Sequence, residues 1–179
     1  MAASDPVHVR IQRATSEDLS LVRELFLEYA KWLNVDLSFQ DFEHELASLP
    51  GAYAPPDGDI LIAWPTRNDS ESAVSRDAAA PSQRREAAVG CVAVRRFDGQ
   101  MCEMKRLWVR PEYRGHGVGR ALVQEIITRA REAGYGEMVL DTLRTMAPAY
   151  RLYTSCGFSE IEAYYHNPLP GAVYLGCEL

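Results

Sequence analysis

The stretch from Met101 to Leu143 constrains the fold more than any other. An apolar segment, MCEMKRLWVR (Met101–Arg110), runs into PEYRGHGVG and then into a helical pattern. In that pattern Val118, Leu122, Val123, Ile126, Ile127, Ala130 and Ala133 share one stripe. Gly134 closes the helix, and EMVLDTL (Glu137–Leu143) follows as a continuous apolar strand of the kind found inside a sheet. Strand, helix and strand in this order make a parallel βαβ unit. The turn within it carries Gly115, Gly117 and Gly119 at every second position, flanked by Arg114 and Arg120. Glycines there let backbone N–H groups converge without Cβ clashes. The helix N-terminus adds unpaired donors and partial positive charge. That combination suits a phosphate. The turn is neither G-x-x-x-x-G-K-[ST] nor G-x-G-x-x-G followed by an acidic residue about 20 positions on; it reads R-G-x-G-x-G.

The rest of the chain builds around this unit. VHVRIQRA (Val7–Ala14) alternates apolar and polar residues as a half-buried strand does. Thr15 and Asp18 form a capping-box pattern before Leu19, Val22, Leu25, Phe26, Tyr29 and Leu33 at helical spacing. SFQDFEHELASL (Ser38–Leu49) reads as a second, short helix capped by Ser38, and LPGAYAPPDG as a turn-rich loop. DILIAW (Asp59–Trp64) is an apolar strand, and Ala87–Phe97 is joined to Met101–Arg110 through the hairpin signal Asp98-Gly99. MAPAYRLYTSC is a helix ended by Gly157. FSEIEAYY and AVYLGCEL form a last antiparallel pair. The expected order is βαα-βββ-αβα-ββ, with no internal repeat. This is an α+β fold, layered α/β/α, with a mixed, mostly antiparallel twisted sheet of six to seven strands. Residues 65–87 are rich in turn formers and longer than the roughly 12–15 residues a compact loop usually spans. They read as a flexible insertion in a single domain covering 1–179.

Composition narrows the function classes. A chain of 179 residues with 47% hydrophobic and 25% charged content is long enough for one well-buried core. A net charge of −6 argues against broad nucleic-acid or membrane binding. Cys91, Cys102, Cys156 and Cys177 form no C-x-x-C pair, and no His/Cys/Asp spacing suggests a metal. MAASDPVHVR has no apolar core of an export signal, and no apolar run approaches a membrane span. The expectation is a reduced, cytoplasmic protein.

RGHGVG after LWVRPEY, with AYRLYTSCGF some 35 residues later, resembles the GNAT superfamily of acyl-CoA-dependent N-acetyltransferases. The similarity runs from about Val7 to Leu179. The resemblance implies that the backbone of Arg114, Gly115, His116, Gly117, Val118 and Gly119, with Arg120 at the rim, binds the pyrophosphate of acetyl-CoA. Backbone groups of Leu107, Trp108 and Val109 would pair with the pantetheine arm like an added strand. In the family this strand splays from the next at a bulge, between strands 4 and 5, leaving a V-shaped slot; here the slot would lie between RLWV and LDTL. Many relatives carry an asparagine where Met146 stands, so one polar contact to the pantetheine is in doubt.

The implied chemistry is direct transfer of an acetyl group to a primary amine of a small or amino-acid-like acceptor. A lysine-like amine must first lose a proton, at roughly 4–5 kcal/mol at pH 7. Glu103 matches the catalytic glutamate of histone-acetylating relatives, and burial beside the slot would raise its pKa; the competing reading is a charge paired with Arg106 or Lys105. Tyr153 matches the tyrosine that protonates the departing thiolate in many relatives, or is a core residue. His44 on the second helix, Asp141 and Thr142 at the end of the central strand, and Tyr165 and His166 in the last turn are candidates for acceptor contact. A CoA-binding sensor without transfer activity, or a peptide acceptor, is the alternative. Both a monomer and a homodimer fit, the last strand offering an edge for pairing.

Overall fold

The computed structural model describes residues 7–66 and 88–179. Seven strands form one sheet: β1 (Val9–Arg13), β2 (Asp59–Pro65), β3 (Gly90–Asp98), β4 (Met101–Val109), β5 (Glu137–Leu143), β6 (Ser159–Glu160) and β7 (Ala172–Glu178). Their order across the sheet is β1-β2-β3-β4-β5-β7-β6. Among the described residues only β4 and β5 run parallel; every other neighbouring pair is antiparallel. The crossover between them is the expected βαβ unit. Among the described residues four α-helices cover the two faces: α1 (Leu19–Leu33), α2 (Phe42–Ser48), α3 (Val118–Glu132) and α4 (Ala147–Ser155). The insertion expected at 65–87 lies outside the described residues except for Pro65, which ends β2, and Thr66, whose N–H donates to the His8 carbonyl at 2.8 Å. No described helix is long and apolar enough to cross a membrane.

The helical stripes read from the sequence are the buried ones. Leu21, Val22, Leu25 and Phe26 of α1 join Phe42 and Leu46 of α2 in a core on one face of the sheet. Val118, Leu122, Val123, Ile126, Ile127 and Ala130 of α3 form the core on the other. Each such fully buried aliphatic side chain contributes about 1.5–3 kcal/mol, so these stripes outweigh any cap in fixing the layers. The Thr15 cap is present all the same: its N–H donates to Asp18 Oδ2 at 3.0 Å, before a 3-10 turn leads into α1.

Three local expectations are corrected. Residues 38–49 are not one helix. A 3-10 turn, Ser38–Gln40, is separated from α2 by Asp41, which sits at φ +53°. Aspartate tolerates this left-handed conformation better than most residues. Ser38 does not cap α2; its own N–H and hydroxyl donate to the Asp36 carboxylate at 2.8 and 2.9 Å. FSEIEAYY yields only the two-residue β6, because Tyr164 and Tyr165 leave the ladder to pack on Tyr174. The last strand, β7, is paired with β5 along its whole length and covered by β6 at Leu175 and Gly176, so it is an interior strand rather than a full free edge.

Two features of β4 shape the site. The first is a bulge: Cys91 faces Trp108 but Ala93 faces Lys105, so two residues of β4, Arg106 and Leu107, oppose one of β3, Val92. Arg106 takes the strain at φ +56°, a conformation costing a non-glycine residue about 1–3 kcal/mol. The second is a close approach at the strand's end, where Gly90 pairs with Val109. A Cβ on Gly90 would collide with the Trp108 carbonyl and lie 3.2 Å from Val109 Cα. Gly90→Ala is therefore expected to lower stability by about 1–3 kcal/mol, read as a lower urea midpoint; an unchanged midpoint would show that the strands separate there at little cost.

Candidate active site

The parallel ladder between β4 and β5 is short. It pairs Met101–Glu103 with Glu137–Val139 and then stops. Beyond it the strands diverge, and a cavity of about 680 Å³ opens in the splay. Leu107, Trp108 and Val109 line one wall, and Leu140, Asp141 and Thr142 the other. The V-shaped slot expected between RLWV and LDTL is present, and the bulge at Arg106 lies at its apex.

At one end of the cavity sits the glycine turn. A 3-10 turn, Pro111–Tyr113, leads to Arg114, and α3 starts at Val118 with Gly117 as its N-cap. Gly115 and Gly117 adopt φ +79° and +86°, and a Cβ on either would meet nothing within 4 Å. They form an open cradle of backbone donors at the positive end of a 15-residue helix. Gly119 has a different job. It has no positive φ, and a Cβ there would lie 3.2 Å from Leu152 Cδ2, so its absence lets α4 pack closely on α3. The cradle, the flanking arginines and the long slot fit the pyrophosphate and pantetheine arm of coenzyme A.

The side chains of the turn differ in role. Arg114 is held between two indoles, its Cζ 4.5 Å from the Trp32 ring and 4.7 Å from the Trp108 ring. Its Nε donates to the Val109 carbonyl at 2.9 Å. Arg120 donates to the carbonyl and hydroxyl of Ser155 at 3.3 and 2.8 Å. Both arginines line the cavity; His116 and Val118 do not, and Val118 belongs to the core.

Tyr153 lines the cavity from α4 and is 8% exposed. Burial pushes its pKa well above the ordinary tyrosine value, so the hydroxyl stays protonated. Thr142 lies nearby, its hydroxyl facing Met146 Sδ at 3.9 Å. Met146 itself lines the cavity.

Glu103 is 1% exposed and lies outside the cavity lining. Its carboxylate receives Arg95 Nε and Nη2 at 2.9 and 2.7 Å and the Tyr164 hydroxyl at 3.0 Å. Lys105 Nζ is 3.5 Å away. Glu103 is thus ion-paired chiefly with Arg95; of the two partners weighed, Lys105 stands at the longer distance and Arg106 pairs with Glu45 instead. Asp141, in contrast, lines the cavity; its Oδ2 accepts from Asn167 Nδ2 at 2.8 Å and its Oδ1 faces Lys105 Nζ at 3.4 Å. Tyr165 stands behind this pair, its hydroxyl accepting from Asn167 at 3.2 Å. Burial, and then the charge of Asp141, push the Tyr165 pKa up. His44 and His166 are exposed and line no part of the cavity.

The sequence reading missed Arg95 and Asn167, and weighed Lys105 only as a partner for Glu103. Arg95 had a signal, since the Asp98-Gly99 hairpin places it directly across from Glu103. Asn167, in an irregular turn, had none.

Residues 38–158 match the Acetyltransferase (GNAT) family. An uncharacterised N-acetyltransferase of Schizosaccharomyces pombe is 44% identical over 164 residues, covering 91% of this chain and 90% of that protein. One of Dictyostelium discoideum is 32% identical over 213 residues, covering 85% and 90%. Among solved structures, a GNAT-family acetyltransferase of Staphylococcus aureus superposes with a TM-score of 0.70 at 18% identity, covering 96% of this chain and 99% of that one. The PaiA N-acetyltransferase of Thermoplasma acidophilum, solved with coenzyme A, does so at 0.64 and 15%, covering 96% and 99%. A splayed parallel strand pair, a glycine cradle opening a helix between those strands, and a family match that spans both place this chain in the GNAT family of N-acetyltransferases.

Proposed function

We propose that the protein transfers an acetyl group from acetyl-CoA to a primary amine of a small, amino-acid-like molecule, with both substrates bound together. The observation that carries this reading is the continuity of the cavity: one space joins the glycine cradle, the β4 edge, Tyr153 and Asp141. Gly115, Gly117 and the first amides of α3 would hold the pyrophosphate, and the unpaired edge of β4 the pantetheine. Acetyl-CoA, when bound, would supply the thioester: the amide C–N bond forms as the C–S bond breaks, the amine losing one proton and the departing coenzyme A sulfur gaining one.

The chain's residues divide that proton traffic. Asp141 is the carboxylate on the cavity wall, so we assign it the amine's proton, taken directly or through water. Glu103, expected in that role, is committed to Arg95 and Tyr164; we assign it the positioning of Lys105 and Tyr164. Tyr153, kept protonated by burial, donates at the sulfur end. Its hydroxyl has no hydrogen-bond partner among the described residues, which leaves the donor available to a ligand.

The test is calorimetric titration with acetyl-CoA, followed by thiol release across a panel of primary amines. Binding in the micromolar range and turnover of at least one amine are expected; no binding to the wild-type protein sinks the proposal. Asp141→Asn and Tyr153→Phe should each lower kcat by about 100-fold while leaving the Kd for acetyl-CoA unchanged. If Tyr153→Phe alters only stability, the tyrosine is a core residue.

A further inference from the structure

The face of β4 that carries Glu103 bears on the acceptor. Met104, Leu107 and Val109 pack with the core beneath α3. Lys105 and Arg106, although successive, both emerge on the opposite face: Arg106 reaches Glu45 of α2, and Lys105 reaches Glu103 and Asp141. Lys105, which follows Glu103 in regular alternation, is a buried ammonium, 7% exposed, on the wall of the cavity; the bulge adds Arg106 to the same face.

Its satisfaction is incomplete. Ammonium–carboxylate hydrogen bonds normally span about 2.7–2.9 Å, but Lys105 Nζ lies 3.4 Å from Asp141 and 3.5 Å from Glu103. Both carboxylates have shorter partners, Arg95 at 2.7 Å for Glu103 and Asn167 at 2.8 Å for Asp141. An ammonium carries three donors and no acceptor, so Lys105 has capacity to spare toward the cavity. Beside it Asp141 Oδ1 has lone pairs in the same position. The wall therefore presents one cation and one anion side by side, each loosely engaged with the other.

An α-amino carboxylate presents the mirror of that arrangement, its amine and carboxylate separated by a single carbon. We infer that Lys105 and Asp141 together recognise the zwitterion of an α-amino acid, Lys105 taking its carboxylate and Asp141 its amine. This selects amino acids over simple amines, because an ammonium without a carboxylate meets the charge of Lys105 uncompensated. The inference rests on the acetyl-transfer reading for the site itself, but its test does not depend on turnover.

The protein is saturated with coenzyme A, which carries no acetyl group to transfer. It is then titrated in a calorimeter with each of the common α-amino acids, and with the methyl ester and the decarboxylated amine of any that binds. At least one amino acid should bind, and its ester and amine should each bind about 10- to 100-fold more weakly, the effect of losing a charged hydrogen bond. Lys105→Gln should remove that preference by weakening the amino acid alone. Should this variant fail to fold, the wild-type comparison of acid with ester decides. Equal binding of acid, ester and amine overturns the inference. So does binding of coenzyme A with no amino acid captured, an outcome that leaves the acetyltransferase reading standing. Failure of coenzyme A itself to bind overturns both.

Discussion

Gly117→Glu is expected to abolish acetyl-CoA binding, with loss of at least about 100-fold in Kd and a far-UV spectrum like that of the wild type. Gly117 is the N-cap of α3 at φ +86°, and a Cβ there meets open space, so the side chain can be accommodated. The left-handed conformation costs a non-glycine residue about 1–2 kcal/mol. A carboxylate at a helix N-terminus recovers part of that, typically about 0.3–1 kcal/mol. The fold therefore survives. The same carboxylate would stand where the pyrophosphate is proposed to lie, adding like-charge repulsion and blocking the amides. Gly117→Ala separates the two effects, since it keeps the strain and omits the charge; it should bind more weakly than the wild type but measurably. Wild-type affinity in Gly117→Glu would mean the cradle holds no phosphate.

Arg106→Met is expected to cost about 3–5 kcal/mol of stability, the usual penalty for stranding one partner of a buried ion pair. Arg106 donates to both oxygens of Glu45 at 2.7 Å and to Gln40 at 3.0 Å, and its Cζ lies 4.8 Å from the Phe42 ring. Both charged side chains are largely enclosed, at 2% and 11% exposure. These contacts hold α2 and the preceding turn against the strained point of β4. Removing the guanidinium leaves the Glu45 carboxylate enclosed and keeps the backbone strain. The double variant Arg106→Met, Glu45→Met should recover most of the loss, because an apolar pair of similar volume carries no desolvation debt. Urea denaturation of the three variants checks this; a single-variant loss below about 1 kcal/mol would show that α2 is held by its apolar face alone.

The comparison of sequence and structure divides along physical lines. Elements set by repetition were legible: period two gave β1, period 3.6 gave α1 and α3, and unbroken apolar runs gave β2 and β5. The glycine turn was legible because only glycine accepts φ near +80° without cost. The bulge was not. The backbone reverses its alternation at Arg106, and nothing in Lys105-Arg106-Leu107-Trp108 marks it, because tertiary contacts to Glu45 and Gln40 hold a residue that does not itself favour the conformation. Counting along an ideal strand places Glu103 and Lys105 on one face but could not show Arg106 joining them there. The histidines failed as markers for the opposite reason: residue type suggested chemistry at His44 and His166, while the fold leaves both at the surface.

The splay between β4 and β5 also partitions the protein's capacity for change. The cradle proposed for the donor draws on the backbone of one turn, where side chains such as His116 leave the cavity wall untouched. The wall proposed for the acceptor draws on the side chains of Lys105 and Asp141, on two strands joined by the intervening helix. Substitutions on that wall can alter which molecule is acetylated while the donor's seat stays constant. The early parting of two strands thus lets new specificities arise by changing two or three side chains, with the donor's seat inherited intact.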